Sequence, residues 1–229
     1  MASFLLSGSL TEFQQFVLAV YGEPNDRMYS VSDLLSNMSR FTMRAIKGIR
    51  KGDEVRLATN ITIALSWYAS VANRLHIDID EILWRRFPNV CSYCANCPCI
   101  CRELKQDSRT RRDSNVGASK RTNLADYQDM FRKIYPPASR TLADAGIHLA
   151  EETGEVSEAI HAFLGEHKPE QFEAILEEMA DYASCTFGVV NSAALELAKL
   201  LAEQYGDNCH VCHNAPCRCD FSFVARFDS

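Results

Sequence analysis

The chain has 229 residues, of which 47% are hydrophobic and 24% are charged, and its formal net charge at pH 7 is −6. This length allows one large domain or two small ones, and the apolar fraction suffices for a folded core. The negative charge argues against general nucleic-acid binding and against binding to anionic membrane surfaces.

The sequence shows no feature of a membrane or secreted protein. It has no apolar run long enough to cross a bilayer, and its first residues, MASFLLSGSLTEF, lack the basic region and the apolar length of a signal peptide. We therefore expect a cytoplasmic protein without membrane contact. In that reducing compartment the ten cysteines are expected to be thiols or metal ligands rather than disulfides.

The sequence contains one unit twice. Tyr68–Ser70 and Tyr182–Ser184 share the string YAS at an offset of 114 residues, and several other matches keep this offset. Two cysteine-rich segments further on match at an offset of 118, which implies a short insertion in the last connection of the second copy. We divide the chain into a first repeat (residues 1–104), a polar, Ser-rich and basic linker (residues 105–123) and a second repeat (residues 124–229).

Apolar residues at helical spacing predict an all-α fold of two tandem helical units. The segment Gly22–Pro24 is expected to end the first helix. Strand signals are nearly absent, and only Phe221–Phe227 alternates enough to predict a short extended segment. In chain order, the predicted helices are 11–21, 32–49, 55–75 and 80–86 in the first repeat and 125–135, 142–164, 171–190 and 193–205 in the second.

Each repeat ends in the same cysteine pattern, C-x2-C-x4-C-x-C, with a proline before the third cysteine. Four thiolates in so short a loop suit a tetrahedral structural zinc site, which has no open position and would stabilise rather than catalyse. An iron–sulfur cluster and a loop of metal-free thiols are the alternatives, and His210 and His213 are further candidate ligands. The predicted zinc ligands are Cys91, Cys94, Cys99 and Cys101 in the first repeat and Cys209, Cys212, Cys217 and Cys219 in the second.

Two pairs of acidic residues characterise the second repeat. Glu152 and Glu155 are spaced i, i+3, as are Glu178 and Asp181, so each pair projects from one face of its helix. The segment Gly165–Pro169 separates the two helices, and in a helical hairpin the pairs come level. Because few basic residues accompany them and like charges destabilise one another, the sequence predicts a Mg²⁺ or Mn²⁺ site held by these four carboxylates.

The first repeat provides an internal comparison. At the offset of 114 residues each of the four acids has an apolar counterpart, so the first repeat is expected to fill the equivalent space with side chains and to hold no cation. A structural need common to both repeats would have left acids in both, and the difference therefore favours a chemical role in the second. The counterparts are Met38, Phe41, Ala64 and Trp67.

The pattern Glu152-x-x-Glu155, followed by Glu178-x-x-Asp181, resembles the all-α nucleoside triphosphate pyrophosphohydrolases of the MazG-like group. The strings EETGEVSEAI and EEMADYAS are similar to that family's two motif helices. The resemblance covers roughly residues 124–205 and, more faintly, the first repeat. It implies that the four acidic residues are catalytic, bind Mg²⁺ and act on a nucleoside triphosphate, which is hydrolysed to the monophosphate and pyrophosphate.

The resemblance also implies an assembly. Family members pair around a four-helix core, so two fused units would form an intrachain pseudo-dimer helix bundle with one active and one inactive half. Such a chain could pair further as a homodimer. The family pattern leads us to expect an Asn or a basic residue near the last helix, for which Lys199 is the candidate.

Hydrolysis of a triphosphate requires groups beyond the metal ligands. Arg140, His148 and Lys168 are candidates for contacting the phosphates. A carboxylate that the metal does not fully engage could activate the attacking water, and Glu151 or Glu155 is the candidate for this role.

Two other classes of function stay open at this stage. One is a non-catalytic nucleotide-binding or assembly protein with structural zinc sites. The other is a metal-dependent nucleic-acid or redox module, which the cysteine loops and the basic linker favour. Cys185, one turn beyond the second acidic pair, is expected to be a small core residue rather than a nucleophile.

Overall fold

The structure, a computed structural model, describes residues 2–104 and 119–227. Within these ranges all regular secondary structure is helical, which confirms the predicted all-α fold. The predicted linker, residues 105–123, lies mostly outside the described residues. The helices are α1 (Leu10–Met28), α2 (Val31–Lys51), α3 (Glu54–Arg74), α4 (Ile79–Arg86), α5 (Cys101–Leu104), α6 (Leu124–Ile134), α7 (Leu142–Glu166), α8 (Pro169–Ser192), α9 (Leu197–Tyr205) and α10 (Phe221–Arg226), with a short 3-10 helix at Pro137–Ser139.

Several helices begin where the sequence supplies capping side chains. The hydroxyls of Ser9, Ser30 and Thr141 each accept a hydrogen bond from the backbone N–H three residues later, and the acid at that position accepts one from the N–H of the capping residue. Asp53 and Asn123 cap α3 and α6 with side-chain oxygens. Because these signals are local, the predicted starts of these five helices lie within one residue of the observed ones.

Helix α1 is longer than predicted, because it continues through Gly22–Pro24 to Met28. Proline lacks an N–H, so Pro24 leaves the carbonyl of Val20 without its usual partner four residues on. The backbone N–H of Cys217 donates to that carbonyl at 2.7 Å. The second cysteine loop thus satisfies the acceptor that the proline leaves open, and the helix continues.

The prediction of an extended segment at Phe221–Phe227 is wrong, because most of it forms α10. Asp220 caps this helix, and its carboxylate oxygen accepts a hydrogen bond from the N–H of Phe223 at 2.7 Å. A side-chain cap of this kind favours a helical start.

The chain divides into two compact units that do not follow the repeats. Unit 1 comprises Met1–Ile79 and Glu196–Ser229, and unit 2 comprises Asp80–Leu195. Unit 1 therefore joins α1–α3 of the first repeat to α9, the second cysteine loop and α10. Unit 2 joins α4 and the first cysteine loop to α6–α8 of the second repeat. The last part of each repeat belongs to the unit that is built on the helices of the other.

Each unit is built on a helical hairpin. In unit 1, α2 and α3 form the hairpin, and α1 and α9 both pack against α3. In unit 2, α7 and α8 form the equivalent hairpin, and α6 packs against α8. Fully buried side chains of these hairpins include Leu34, Met38 and Ile61 in unit 1 and Leu149, Ile160 and Met179 in unit 2.

The two units repeat one hydrogen-bond arrangement around a glutamine. In unit 1 the side-chain amide of Gln14 donates to Asn73 Oδ1 at 3.0 Å and to a carbonyl four residues further on at 2.7 Å. In unit 2 Gln128 donates to Asn191 Oδ1 at 3.1 Å and to the equivalent carbonyl at 2.7 Å. The glutamines are 114 residues apart and the asparagines 118. The insertion in the second repeat therefore precedes Asn191. The sequence comparison had placed it in the last connection, and that placement is wrong.

No single helix in the described ranges has both the length and the apolar character needed to cross a membrane, although the bent pair of α8 and α9 meets the same criteria of length and composition.

Candidate functional site

Three of the four predicted acidic residues lie together in unit 2. Glu152 on α7 and Glu178 and Asp181 on α8 each place one carboxylate oxygen within 4.8 Å of the other two. Asp181 is buried, whereas Glu152 and Glu178 are half-buried. Glu155 does not join this group, because it is exposed one turn further along α7, although it lines the neighbouring cleft. We call Glu152, Glu178 and Asp181 the acidic trio.

The acidic trio has a basic partner that the sequence analysis missed. Arg86, at the end of α4, donates to both carboxylate oxygens of Asp181, from Nε at 3.1 Å and from Nη2 at 2.7 Å. Its Nη1 lies 3.2 Å from Oε2 of Glu177. The basic residues near the acids along the chain are few, but Arg86 precedes Asp181 by 95 residues. It reaches the site because α4 belongs to unit 2.

Arg86 is charged and brings a positive group to the site. Burial lowers the pKa of Arg86, but its hydrogen bonds and charge attraction to Asp181, together with the charge of Glu177, raise this pKa above its ordinary value. Its guanidinium lies against the carboxylates of Asp181 and Glu177. The carboxylate oxygens of the acidic trio are the kind of ligand that Mg²⁺ prefers.

The acidic trio borders a cleft of about 580 Å³, a volume typical of small-molecule sites. Glu152 and Asp181 line it, together with the first cysteine loop and the segment that leads into α7. Two of the predicted phosphate-contacting residues, Arg140 and His148, also line the cleft. The third, Lys168, lies at the hairpin turn in an ion pair with a neighbouring glutamate. The structure therefore places two of the three candidates at the cleft.

Arg140 is held against α8 by the shape of its surroundings. A Cβ atom on Gly188 would collide with the guanidinium of Arg140, so the glycine leaves the space that this group occupies. The guanidinium also lies 5.9 Å from the ring centroid of Tyr135, which is within cation–π range. These contacts keep a positive group on the wall of the cleft.

Cys185 is a wall residue of the cleft, whereas the sequence analysis expected a core residue. Burial raises the pKa of its thiol well above the ordinary value, and the nearby charge of Glu152 raises it further. A raised pKa favours the neutral thiol over the thiolate, which is the nucleophilic form.

Both cysteine loops bring four thiols together. In the first loop the sulfur atoms of Cys91 and Cys101 lie 3.7 Å apart, and those of Cys94 and Cys99 lie 3.9 Å apart. The equivalent distances in the second loop are 4.0 and 3.8 Å. Four sulfurs that each lie 2.3 Å from one zinc ion in a tetrahedron are about 3.8 Å from one another, so both groups could hold zinc. The second group consists of Cys209, Cys212, Cys217 and Cys219.

Further details of the loops favour a single ion over an iron–sulfur cluster. A cluster distributes its thiolates over more than one iron atom, whereas all four sulfurs of each group lie within 4.8 Å of one another. Backbone N–H groups point at the sulfurs, as Tyr93 does to Cys91 at 3.4 Å and Arg218 does to Cys212 at 3.3 Å. All ten cysteines are free, as predicted. His210 and His213 are not members of the second group.

Unit 1 fills the equivalent space with apolar side chains, as the sequence comparison predicted. Phe41, Ile63 and Ala64 are buried together, and Trp67 and Phe227 pack against them. The pocket that remains has a volume of about 70 Å³. Unit 1 therefore has neither the carboxylates nor the space of the cleft in unit 2.

The structure corrects the counterparts of the second acidic pair. Ile63 lines the pocket of unit 1 as Asp181 lines the cleft of unit 2, and these residues are 118 positions apart, like the hydrogen-bonded asparagines. Glu178 then corresponds to Asn60, which is buried and donates to a backbone carbonyl. The carboxylates still have no acidic counterpart. Ala64 and Trp67, which the sequence comparison paired with Glu178 and Asp181, are therefore not their structural counterparts.

The predicted basic residue near the last helix, Lys199, and the basic partner of Asp181, Arg86, lie in different units. Lys199 lies on α9, which belongs to unit 1. In unit 2 the corresponding place is taken by α4, the last helix before the first cysteine loop, and α4 provides Arg86. The division of each repeat between the units therefore explains why this basic group comes from the first repeat.

No family model, curated protein or solved structure matches the chain. The resemblance to the MazG-like group therefore rests on the two acidic motifs.

Proposed function

We propose that the cleft of unit 2 is the active site of a Mg²⁺-dependent nucleotide pyrophosphohydrolase, which cleaves a nucleoside triphosphate to the monophosphate and pyrophosphate. The observation that carries the proposal is the convergence of Glu152, Glu178 and Asp181 from two helices beside a cleft large enough for a nucleotide. Three carboxylates at this spacing repel one another, and a divalent cation bound between them would offset that repulsion.

The oxygens of the acidic trio fit a small divalent cation. Opposite ligands around an octahedral Mg²⁺ ion are about 4.2 Å apart, and the oxygens of the trio lie within 4.8 Å, so small side-chain rotations would bring them to one ion. Arg86 donates to both carboxylate oxygens of Asp181, and a carboxylate oxygen has about two lone-pair sites. Mg²⁺ or Mn²⁺, when bound by the trio, would neutralise and orient the phosphates.

The remaining groups of the cleft fit the needs of the reaction. A water oxygen forms a bond to the α-phosphorus, the bond from this phosphorus to the pyrophosphate oxygen breaks, and a proton of the water passes to a carboxylate. Glu155 is our candidate for this base, because it lines the cleft outside the trio, and Glu151 is the alternative. Arg140 and His148 line the same cleft and would contact phosphate oxygens.

We also propose that the two repeats act as an intrachain pseudo-dimer with one active and one inactive half. The glutamine–asparagine hydrogen bonds common to both units support this proposal, as does the filled pocket of unit 1. Zinc in the cysteine loops would be structural, because four thiolates leave no open position on the ion.

A second function has one observation in its favour. The ion pair of Arg86 with Asp181, at 2.7 Å, neutralises part of the trio without a metal. An ion pair of this kind would also fit a structural role in a nucleotide-binding or assembly protein without turnover. Nucleotide binding without pyrophosphate release would select this alternative.

Pyrophosphate release from a panel of canonical and modified nucleoside triphosphates, measured with Mg²⁺, tests the leading proposal. Glu178→Gln removes one ligand charge with little change of shape. It should lower kcat by about 100-fold or more, because even the outer partners of metal ligands contribute about 10- to 100-fold. Glu158→Gln is the matched control, since Glu158 is exposed on α7 and lies outside the trio and the cleft. No release from any substrate, or equal rates for Glu178→Gln and wild type, would contradict the proposal.

A further inference from the structure

The first cysteine loop forms one wall of the cleft beside the acidic trio. Cys91 and Cys99 line the cleft together with Glu152 and Asp181. The loop is fixed in this place because the N–H of Cys99 donates to the carbonyl of Ile134 at 2.8 Å. The first cysteine loop therefore also shapes the space that a substrate would enter.

Two side chains of the first cysteine loop give this wall its chemistry. Tyr93 lines the cleft and is 40% exposed, and its N–H bond to Cys91 Sγ ties its backbone to the cysteine group. Ser92 also lines the cleft, and its buried hydroxyl has no hydrogen-bond partner among the described residues. Aromatic side chains stack on flat heterocycles, and a buried hydroxyl gains free energy from a polar partner.

The helical wall of the cleft has a different chemistry. It carries two members of the acidic trio, which is the proposed Mg²⁺ site, together with the Arg140 guanidinium and the His148 imidazole. A nucleoside triphosphate has a flat base at one end and a polyphosphate at the other. The cleft therefore offers each end of such a ligand a wall of matching chemistry.

The second cysteine loop lacks the two recognition groups. It lines the pocket of unit 1 as the first loop lines the cleft of unit 2. At the positions of Ser92 and Tyr93, however, it has His210 and Val211. The first cysteine loop, which has the Tyr93 ring and the buried Ser92 hydroxyl, is therefore the loop that lies beside the carboxylates.

We infer that the first cysteine loop is the base-recognition wall of this site, where Tyr93 stacks on the nucleobase and the Ser92 hydroxyl hydrogen-bonds to its edge. The inference rests on the proposed function for the triphosphate end of the ligand. It adds that the first repeat supplies the residues that bind the base, whereas the second repeat supplies the carboxylates.

Calorimetric binding to the zinc-loaded full chain, with Mg²⁺ present, tests the inference. The probes are the non-cleavable α,β-methylene analogues of ATP, GTP, CTP and UTP, and inorganic tripolyphosphate, which has no base. Tyr93→Ala should raise the Kd of the tightest-binding analogue by about 10-fold or more, which is within the range measured for loss of a base–aromatic stack. The Kd of tripolyphosphate should stay within about twofold. Tyr93→Phe should bind like wild type, because the ring is kept.

Two further variants separate recognition from folding. Ser92→Ala should raise the Kd of the tightest-binding analogue by about fivefold, as expected for one hydrogen bond, and should not alter tripolyphosphate binding. Val211→Ala, at the equivalent position of the second loop, should change neither. Zinc content and thermal denaturation show that each variant is folded.

The inference is overturned if Tyr93→Ala weakens both kinds of ligand equally, if it weakens neither, or if wild type binds none of the five probes. Pyrophosphate release, measured in parallel, separates this result from the proposed function. Base-dependent binding through Tyr93 without pyrophosphate release would refute the proposed hydrolase activity and support base recognition by the first cysteine loop. Pyrophosphate release that Tyr93→Ala does not change would support the hydrolase activity and refute base recognition by this loop.

Discussion

Among single residues, Arg86 places a positive charge directly against the candidate site. Its side chain is 13% exposed and that of Asp181 is 7% exposed, and the two are joined by a bidentate pair. A buried pair of this kind adds little net stability, but the loss of one partner leaves an uncompensated charge in the interior. The main effect of Arg86 is therefore to hold the Asp181 carboxylate in one orientation.

Arg86→Ala should lower the free energy of unfolding by about 3–5 kcal/mol, because the Asp181 carboxylate stays buried without its partner. The matched control is Arg85→Ala. Arg85 is the preceding residue on α4, and its ion pair with Glu173 joins two exposed side chains, so its loss should cost about 1 kcal/mol or less. Urea denaturation at pH 7 measures both. Equal effects of the two substitutions would show that the Arg86 pair is not buried in solution.

The sequence predicted part of this site, and the reasons are physical. The spacing of Glu178 and Asp181 places both on one face of α8, and the hairpin turn brings Glu152 to the same level. Glu155 has the same spacing from Glu152, so the pattern alone does not show that its side chain is exposed and lies outside the trio. Arg86 could not be predicted, since its contact with Asp181 spans 95 residues and no local pattern encodes it.

At the scale of helices, local signals and distant contacts determine different features. Apolar periodicity and capping side chains predicted where most helices begin, because both act within a turn or two. The end of α1 depends instead on Cys217, whose N–H satisfies the carbonyl opposite Pro24. A helix end that depends on a residue almost 200 positions away cannot be read from the sequence around it.

The close approach of α2 and α3 gives a prediction at this scale. A Cβ on Gly48 would lie 2.7 Å from the backbone N of Leu57 and 3.0 Å from the carbonyl oxygen of Asp53. Backbone atoms cannot move aside as a flexible side chain can, so Gly48→Ala should lower the free energy of unfolding by about 1–3 kcal/mol. Thermal denaturation measures the change.

Gly154→Ala is the matched control for Gly48→Ala. Gly154 also lies inside a helix, but no atom lies within 4 Å of a Cβ built there. Alanine favours the helix over glycine, so this substitution should raise the free energy of unfolding by about 1 kcal/mol. Stabilisation by both substitutions would mean that α2 and α3 do not approach as closely as the structure shows.

For the whole molecule, the repeats in the sequence and the units in the structure are different divisions of the chain. The first cysteine loop belongs to unit 2, where the N–H of Cys99 donates to Ile134. The second belongs to unit 1, where the N–H of Cys217 donates to Val20. A duplicated sequence shows which segments are equivalent. Because the helices of the two repeats are equivalent, both sets offer a cysteine loop the same contacts. Sequence comparison therefore could not decide which copy each loop packs against.

Loss of one zinc ligand in each loop tests this division. Cys94→Ser should lower the zinc content from about two ions to one per chain, and it should increase hydrogen exchange at the end of α6 by about tenfold or more, because the bond from Cys99 to Ile134 depends on an intact loop. Cys212→Ser should instead increase exchange in α1, near Val20, for the same reason.

Hydrogen exchange read by mass spectrometry distinguishes the helices, and each variant is the control for the other. Protection lost in α1 after Cys94→Ser would mean that the first loop packs on its own repeat, which contradicts the division into units. Protection lost in α6 would place the loop that carries Tyr93 on the unit with the acidic trio. In that case zinc binding and the shape of the candidate active site are linked, because one loop determines both.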